Sequence, residues 1–225
     1  MKNIVILTGS GISVESGLET FRGVDSLWEG YNLLDVATLD GWKRNPGLVQ
    51  EFYNLQRGKV LKAVPNLAHL ALVHLERAFN VHIITQNVDD LHERAGSKNV
   101  LHLHGEITKA QSDVDPSLTY NIIGSEITSN DKCIHGMSLR PNVVWFGESV
   151  SNMNYAISLC SSADIFAVVG TSLMVMPAAS LVDEVPLYAQ KFIIDPDPSI
   201  DYFNSIKINK TASLGVEELV KYLVK

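Results

Sequence analysis

The chain has 225 residues, of which 46% are hydrophobic, and its formal net charge is -7 at pH 7. This length suits one large domain with a substantial core, while the negative charge and the scattered Lys and Arg argue against a nucleic-acid-binding surface. Apolar runs stay below the roughly 18 residues of a membrane span, and two cysteines, Cys133 and Cys160, are too few for a disulfide framework, so a cytoplasmic protein is expected.

Short apolar runs alternate along the chain with segments of helical periodicity. In chain order we predict a strand at 3–8, a helix at 66–79, a strand at 81–85, a helix near 152–162, a strand at 164–172, a helix at 177–185, a strand at 191–196 and a closing helix at 216–224. Strands that are apolar throughout and alternate with helices are typical of a parallel sheet covered on both faces. The predicted fold class is therefore α/β, with a Rossmann-like, doubly wound sheet.

One segment interrupts this alternation. Residues 107–142 are polar, rich in turn-forming residues and without clean periodicity. We therefore expect residues 1–225 to form a single domain in which 107–142 is a small inserted subdomain.

Polar clusters follow four of the predicted strands. They are TGSGIS (8–13), TQNVDD (85–90), GTS (170–172) and DPDP (195–198). Because ligands of doubly wound sheets bind at the carboxyl ends of the strands, the agreement of four loops indicates a binding site there.

The first and third of these loops carry features of nucleotide binding. Gly9 and Gly11 allow a tight turn close to a pyrophosphate, and the helix that follows offers free N–H groups. The spacing is G-x-G-x5-G rather than the usual G-x-G-x-x-G, so a plain glycine turn remains an alternative. The hydroxyls of Thr171 and Ser172 suit a phosphate or ribose, although GTS is also a common N-cap sequence.

The stretch TQNVDDLHERAGSKNVLHLHGE (85–106) concentrates groups that bond or titrate. Gln86, Asn87 and Asp89 follow a strand end, where their side chains can bond a heterocycle. His102 and His104 alternate in LHLHG and so share one face of an extended segment. A neutral imidazole there can act as a general base near pH 7; a structural role is the alternative, and a metal pair lacks a third ligand.

The segment RPNVVWFGE (140–148) is extended and apolar, with Trp and Phe near its end. It is either an ordinary core strand or an exposed edge that pairs with an extended peptide.

Together these motifs resemble the sirtuin family of NAD-dependent protein deacylases, in its bacterial, desuccinylase-like branch. The phosphate loop with TFRG (20–23), the 85–96 and 101–106 segments, RPNVVWFGE, GTSLMVMPAA (170–179) and TAS (211–213) follow the family's order over nearly the whole chain.

The resemblance implies NAD as the cofactor and an acyl-lysine protein or peptide as the substrate, mainly acetyl-lysine. The acyl group passes to ADP-ribose, nicotinamide is released, and His104 is the general base beside the catalytic residues Asn87 and Asp89. The implied NAD-binding residues are Gly9, Ser10, Gly11, Ile12, Ser13, Phe21, Arg22, Gln86, Gly170, Thr171, Ser172, Asp195 and Ala212. The implied substrate-binding residues are Tyr53, Gln56, Val144, Trp145, Phe146, Gly147 and Val175.

Two departures from the family pattern concern the glycine loop and the insertion. Ser10 stands where the family usually has alanine, and serine is small enough to be tolerated. Many sirtuins carry four zinc-binding cysteines in the small subdomain, whereas Cys133 is the only cysteine within 107–142. One thiolate cannot complete a tetrahedral zinc site, so we predict no metal.

A third departure concerns the acyl group. Desuccinylase-like sirtuins carry a Tyr-x-x-Arg pair that binds an acyl carboxylate; here Tyr53 is followed by Gln56, with Arg57 one position later. On a helix that step rotates a side chain by about 100°. We therefore expect small neutral acyl groups and weak or absent desuccinylation. The alternative is that Arg57 replaces the missing arginine and the enzyme removes succinyl or malonyl groups efficiently.

Two other functions share the same sequence features. An ADP-ribosyltransferase or NAD glycohydrolase would use the same NAD loops, but the intact VVWFGE segment disfavours it. A non-catalytic NAD-binding module would be expected to lack His104, Asn87 or Asp89, and all three are present. We expect a monomer that binds neither nucleic acid nor membranes.

Overall fold

The computed structural model describes residues 1–20, 27–28 and 30–224. The strands are β1 (Asn3–Thr8), β2 (Leu27–Trp28), β3 (Tyr31–Asn32), β4 (Asn80–Thr85), β5 (Val100–His102), β6 (Gly105–Ser112), β7 (Thr119–Asn121), β8 (Leu139–Val143), β9 (Ile165–Val169), β10 (Gln190–Ile194) and β11 (Ser205–Ile208). The α-helices are α1 (Leu33–Val36), α2 (Leu39–Arg44), α3 (Pro46–Lys62), α4 (Leu67–Leu75), α5 (Leu91–Ala95), α6 (Met153–Ser161) and α7 (Ala212–Leu223), and 3-10 helices span Ser10–Ser16 and Ala178–Glu184.

The main sheet has six strands in the order β11-β10-β9-β1-β4-β5, and every strand pair in it is parallel. β1 lies between β9 and β4, so successive strands are added in opposite directions on the two sides of β1. This confirms the predicted Rossmann-like α/β fold, and it places the carboxyl ends of β1, β4, β9 and β10 next to one another. The four polar loops therefore meet at one edge of the sheet.

Alternate residues of β1 bury both faces of this sheet. Ile4 and Ile6 pack into a core with α4 and α7, whereas Val5 and Leu7 pack into a second core with α6 and the 3-10 helix Ala178–Glu184. Side chains of a strand point alternately to opposite faces, so an apolar run without alternation is what a doubly covered strand requires.

The predicted insertion contains a separate antiparallel sheet in the order β7-β6-β8. The pairing of β6 with β8 is irregular between Gly105 and Ala110. Gly105 has a φ of +83°, and a Cβ built on it would lie 2.2 Å from the Asn142 carbonyl oxygen. This close approach requires glycine at the point where the chain leaves the main sheet for the small one.

Several predicted boundaries differ from those observed. The helix expected at 66–79 ends at Leu75, and Asn66 caps its start by accepting from the backbone N–H groups of Ala68 and His69. The helix expected at 177–185 is a 3-10 helix, and the closing helix begins four residues earlier, at Ala212. Within the part of the chain that the structure describes, no helix has the length and apolar character needed to cross a membrane.

Candidate active site

A cavity of about 690 Å³ opens at the carboxyl edge of the main sheet and extends toward α3 and β8. This volume is in the range of small-molecule and cofactor sites. Its lining includes most of the residues implied by the sequence: Gly9, Ser10, Gly11, Ser13, Tyr53, Gln56, Gln86, Asn87, Asp89, His104, Val144, Trp145, Phe146, Gly147, Gly170, Thr171, Ser172, Val175 and Asp195.

Three glycines bring the loops after β1 and β9 into direct backbone contact. The N–H of Gly9 donates to Val169 O (3.1 Å), and the N–H of Gly11 donates to Gly170 O (2.8 Å). A Cβ on Gly11 would lie 2.6 Å from the Gly170 Cα. Gly170 has a φ of +62°, and a Cβ on it would lie 2.4 Å from the Ile12 nitrogen. The glycines are therefore required by contact between the two loops, whether or not a phosphate binds there. The expected helix after Gly9 is a short 3-10 helix.

A buried hydrogen-bond network joins the loop after β1 to the loop after β4. The amide of Asn87 donates to Gly9 O (3.1 Å) and to Ser13 Oγ (3.2 Å), and Ser13 Oγ donates to Asp89 Oδ2 (3.0 Å). Asp89 Oδ1 accepts from the N–H of Leu91 (3.1 Å). Burial raises the pKa of Asp89, and the hydrogen bonds from Leu91 and Ser13 oppose that rise. The network fixes the position of the Asn87 and Asp89 side chains within the cavity wall.

The tautomer of His104 is set by its backbone partner. Nδ1 lies 2.9 Å from the carbonyl oxygen of Gln86, and a carbonyl only accepts, so Nδ1 carries the proton. In the neutral ring Nε2 then carries the lone pair. Burial lowers the pKa of His104 below its usual value of 6.5, although the Gln86 hydrogen bond opposes this. A neutral imidazole with a defined acceptor nitrogen therefore lines the cavity at pH 7.

His102 bonds the next carbonyl and has the opposite protonation preference. Its Nδ1 lies 3.0 Å from Asn87 O, and its Nε2 lies 2.8 Å from Glu93 Oε1. Burial disfavours the charged ring, but the hydrogen bond and negative charge of Glu93 outweigh it and raise the pKa of His102. His102 thus fixes the backbone of Asn87 from outside the cavity lining.

The loop after β4 also contacts the loop after β9. Gln86 Nε2 donates to Thr171 Oγ1 (3.0 Å), and the N–H of Gln86 donates to Thr8 O (2.9 Å). Asp195 lies just past β10; its Oδ1 accepts from the N–H of Asp197 (2.9 Å), and burial raises the pKa of its carboxyl. These contacts supply polar groups at the ends of β4, β9 and β10.

The segment 144–148, called here the 144–148 loop, forms the opposite wall. Val144 donates its N–H to His104 O (2.9 Å), and Phe146 donates its N–H to Ala37 O (2.9 Å). Trp145 is a core residue that is 2% exposed and donates from Nε1 to Tyr53 Oη (3.1 Å). Gly147 has a φ of +90°, and a Cβ on it would meet no described atom within 4 Å. Of the two interpretations of RPNVVWFGE, the core strand describes β8 and Trp145, while the open part of the segment is at Gly147.

The three residues considered for binding an acyl carboxylate, Tyr53, Gln56 and Arg57, lie on α3. Tyr53 is 1% exposed, and its hydroxyl accepts the Trp145 bond. Gln56 lines the cavity, whereas the fully buried Arg57 donates to the carbonyls of Ile107 (2.6 Å) and Ser125 (2.9 Å) and to Asn54 Oδ1 (2.8 Å). Arg57 is therefore held away from the cavity by the small subdomain.

Two of the implied NAD-binding residues, Ile12 and Ala212, are placed differently. The side chains of Ile12 and Ala212 belong to the core on the α4 and α7 face of the sheet and do not line the cavity. Both side chains are apolar and pack in this core below the loops. Phe21 and Arg22 lie outside the described residues.

Other residues also line the cavity but were not singled out from the sequence: Glu19, Thr20, Glu148, Met174, Met176 and Asp197. Each lies within or next to a quoted motif, so adjacency to the motifs was the available signal. Among the described residues, no three His, Cys, Asp or Glu side chains are arranged to hold a metal ion.

Comparisons with known proteins agree with this geometry. Residues 9–177 match the model of the Sir2 family. An NAD-dependent protein deacylase of Bacteroides thetaiotaomicron is 47% identical over 232 residues, which cover 100% of this chain and 99% of the relative. The chain therefore belongs to the Sir2 family, and the resemblance to sirtuins is confirmed.

Two solved structures are also similar. A Sir2 homolog in complex with NAD has a TM-score of 0.88 and 38% identity, over 98% of this chain and 89% of that one. A Sir2 protein with a deacetylated peptide and 3′-O-acetyl ADP-ribose has a TM-score of 0.80 and 31% identity, over 98% and 92%. The likeness extends over the main sheet and the small subdomain, because it covers nearly the whole chain.

Proposed function

We propose that this protein is an NAD-dependent protein-lysine deacylase, mainly a deacetylase, that transfers the acyl group to ADP-ribose and releases nicotinamide. The observation that supports this best is the state of His104. Its Nδ1 proton is committed to Gln86 O, so Nε2 is the acceptor in a cavity that also contains Asn87 and Asp89. A relative named NAD-dependent protein deacylase is 47% identical over the whole chain.

The residues present fit NAD. The cavity is large enough for a dinucleotide that spans the strand ends. Asp195 offers a carboxylate that can accept from ribose hydroxyls, and Gly9, Gly11 and Gly170 line the cavity without side chains that would fill it. When bound, NAD supplies an ADP-ribosyl group whose bond to nicotinamide is broken and which takes up the acyl group.

The chain's own groups would divide the work. Asn87 and Asp89, held by Ser13, would orient the nicotinamide carboxamide. His104 Nε2 would accept a proton from a ribose hydroxyl. The cavity walls replace water around the reacting atoms with fixed dipoles, which lowers the cost of charge development.

The acyl-lysine peptide would enter between the 144–148 loop and Val175. Gly147 provides open backbone on one side, and Val175 lines the cavity on the other. An extended peptide added there would gain main-chain hydrogen bonds from both sides. Because Arg57 is held by the small subdomain and Gln56 is neutral, the acyl pocket favours small neutral groups over succinyl or malonyl.

We further propose a cytoplasmic, monomeric enzyme without a zinc ion, whose partner is an acyl-lysine protein. Cys133 and Cys160 are both free and buried, which suits a reducing compartment. The net charge of -7 argues against nucleic acid as a partner.

The test is nicotinamide release from NAD with and without an acetyl-lysine peptide. Release that depends on the peptide, with one free lysine formed per nicotinamide, is expected. Equal release without the peptide would instead support an NAD glycohydrolase, and release with label transfer to protein would support an ADP-ribosyltransferase. Binding of NAD without any turnover would indicate a non-catalytic module.

A further inference from the structure

A buried ion pair connects the small sheet to the 144–148 loop. Arg140 lies on β8, and its side chain is 4% exposed. Its Nη2 lies 2.5 Å from Glu148 Oε1, and its Nη1 lies 3.4 Å from Oε2, so the guanidinium faces both carboxylate oxygens. The guanidinium carbon also lies 4.1 Å from the centre of the Trp145 ring. Such a forked, stacked contact fixes direction as well as distance.

The same carboxylate closes the loop. Glu148 Oε2 accepts from the N–H of Trp145 (2.8 Å), and the N–H of Glu148 donates to Trp145 O (3.0 Å). Gly147, at the apex of this turn, is exposed and has open space around it. The open backbone at Gly147 therefore owes its position to Glu148, and Glu148 is held by Arg140.

Arg140 is itself held from the small sheet. The Gln111 amide on β6, in the orientation that satisfies both its ends, accepts from Arg140 Nη2 (2.5 Å) and Nε (3.0 Å) and donates to Asn142 Oδ1 (2.8 Å). The start of the 144–148 loop is fixed separately, by the bonds of Val144 and Phe146 to other backbone groups. The ion pair thus acts on the Gly147 end of the loop, which lines the cavity.

We propose that Arg140 is a positioning residue for the peptide substrate. Acting through Glu148, it holds the Gly147 end of the 144–148 loop in the conformation that pairs with the residues flanking the acyl-lysine. The inference rests on the proposed function and adds a determinant of peptide affinity. It assigns to the small sheet a role in substrate binding that requires no metal.

The test compares two substrates, a peptide of about ten residues with a central acetyl-lysine and a single capped acetyl-lysine. The capped residue has no flanking backbone to pair with the loop. In Arg140→Met the KM for the peptide should rise roughly tenfold to fiftyfold, with kcat and the KM for NAD within about twofold and the capped residue affected less than about threefold. Arg140→Lys keeps the charge but lacks the fork, so it should raise the peptide KM by an intermediate amount.

Stability is separated from positioning by a second variant. Arg140→Met leaves Glu148 without its partner, whereas the double variant Arg140→Met, Glu148→Gln removes both charges and should recover most of the lost thermal stability. The double variant should still show the raised peptide KM. Arg44→Met, which breaks the exposed Arg44–Asp35 pair, is the control and should match wild type.

Equal losses with the peptide and the capped residue would overturn the inference, as would a wild-type peptide KM in the double variant. Should the double variant not fold, Arg140→Lys decides between a positioning role and a purely structural one. An intermediate rise in the peptide KM without an equal loss on the capped residue supports positioning. A wild-type protein that releases no nicotinamide with either substrate would instead refute the proposed function, and the positioning role with it.

Discussion

Replacing Gln56 by arginine should convert the acyl pocket into one that accepts a carboxylate. Gln56 is 8% exposed and lines the cavity on α3, in the turn after Tyr53. Arg57 cannot serve in its place, because its guanidinium donates to two carbonyls and one amide oxygen of the surrounding fold. Burial lowers the pKa of Arg57 to about 10, which leaves it charged at pH 7 and in need of those partners.

The size of the effect follows from the two kinds of hydrogen bond. A neutral bond from Gln56 to an acyl carboxylate contributes about 0.5–1.5 kcal/mol, and a bond from a guanidinium contributes about 1.5–3 kcal/mol. The gain is then about 1–2 kcal/mol, or roughly fivefold to thirtyfold in kcat/KM for a succinyl-lysine peptide. Turnover of the acetyl peptide should fall, because a buried guanidinium then has no carboxylate to pair with.

The assay is kcat/KM for succinyl- and acetyl-lysine peptides of one sequence, measured for wild type, Gln56→Arg and Gln56→Met. The methionine variant removes the hydrogen bond without adding charge and should show no succinyl gain. Succinyl turnover by the wild type that equals acetyl turnover would contradict the reasoning. So would a Gln56→Arg variant that gains nothing, and Arg57 would then have to be reconsidered as the clamp.

Three further predictions concern the base, the core and the metal. His104→Ala should bind NAD with unchanged affinity in calorimetry but lose about 10²- to 10⁴-fold in kcat. In the wild type the acid limb of the pH profile of kcat/KM should lie below pH 6.5, because burial lowers the pKa of His104. Wild-type turnover in the variant would exclude His104 as the base. Burial lowers the pKa of His69 to about 4, so the unfolded chain binds the extra proton between pH 6.5 and 4, and this residue should remove about 3 kcal/mol of stability as the pH falls through that window. Urea unfolding at pH 7.5 and 4.5 should therefore show a shallower loss in His69→Gln than in wild type, and parallel losses would refute this. Treatment with EDTA should change neither the melting temperature nor deacetylation, and metal analysis should find less than about one zinc per ten chains. A bound zinc would contradict the prediction that Cys133 alone cannot complete a zinc site.

Four of the six strands of the main sheet, β1, β4, β9 and β10, were predictable because their burial leaves a plain signature. NIVILT is apolar on both faces, and Ile4, Val5, Ile6 and Leu7 are all fully buried. The polar loops at the strand ends then located the cavity, because parallel strands direct their carboxyl ends to one edge. Edge strand β11 was not predicted, since its short SIKI sequence is partly exposed and lacks this signature.

Helix α3 shows why other parts escaped prediction. It is the longest described helix, with 17 residues, yet its buried face includes Gln56 and Arg57. Those polar side chains disrupt the apolar periodicity that identifies a helix from sequence. The burial of Arg57 depends on the carbonyl oxygens of Ile107 and Ser125, which lie 50 and 68 residues away along the chain and which no local pattern contains. For the same reason the buried position of Trp145, set by Tyr53 and Arg140, could not be derived from RPNVVWFGE alone.

The two histidines of LHLHG show how the fold, rather than the residue type, decides the chemistry. Both donate from Nδ1 to consecutive carbonyls, those of Asn87 and Gln86. Sequence alternation predicted that they share one face, but it assigned them no difference in charge. The difference arises because Nε2 of His102 meets Glu93, whose negative charge raises the pKa of the ring, whereas burial alone dominates for His104 and lowers its pKa. A ring with a raised pKa, which holds the Asn87 backbone, thus lies two residues from a neutral base in the cavity wall. Exchanging the surroundings of the two rings would raise the pKa of the imidazole at the position where a lone pair is needed.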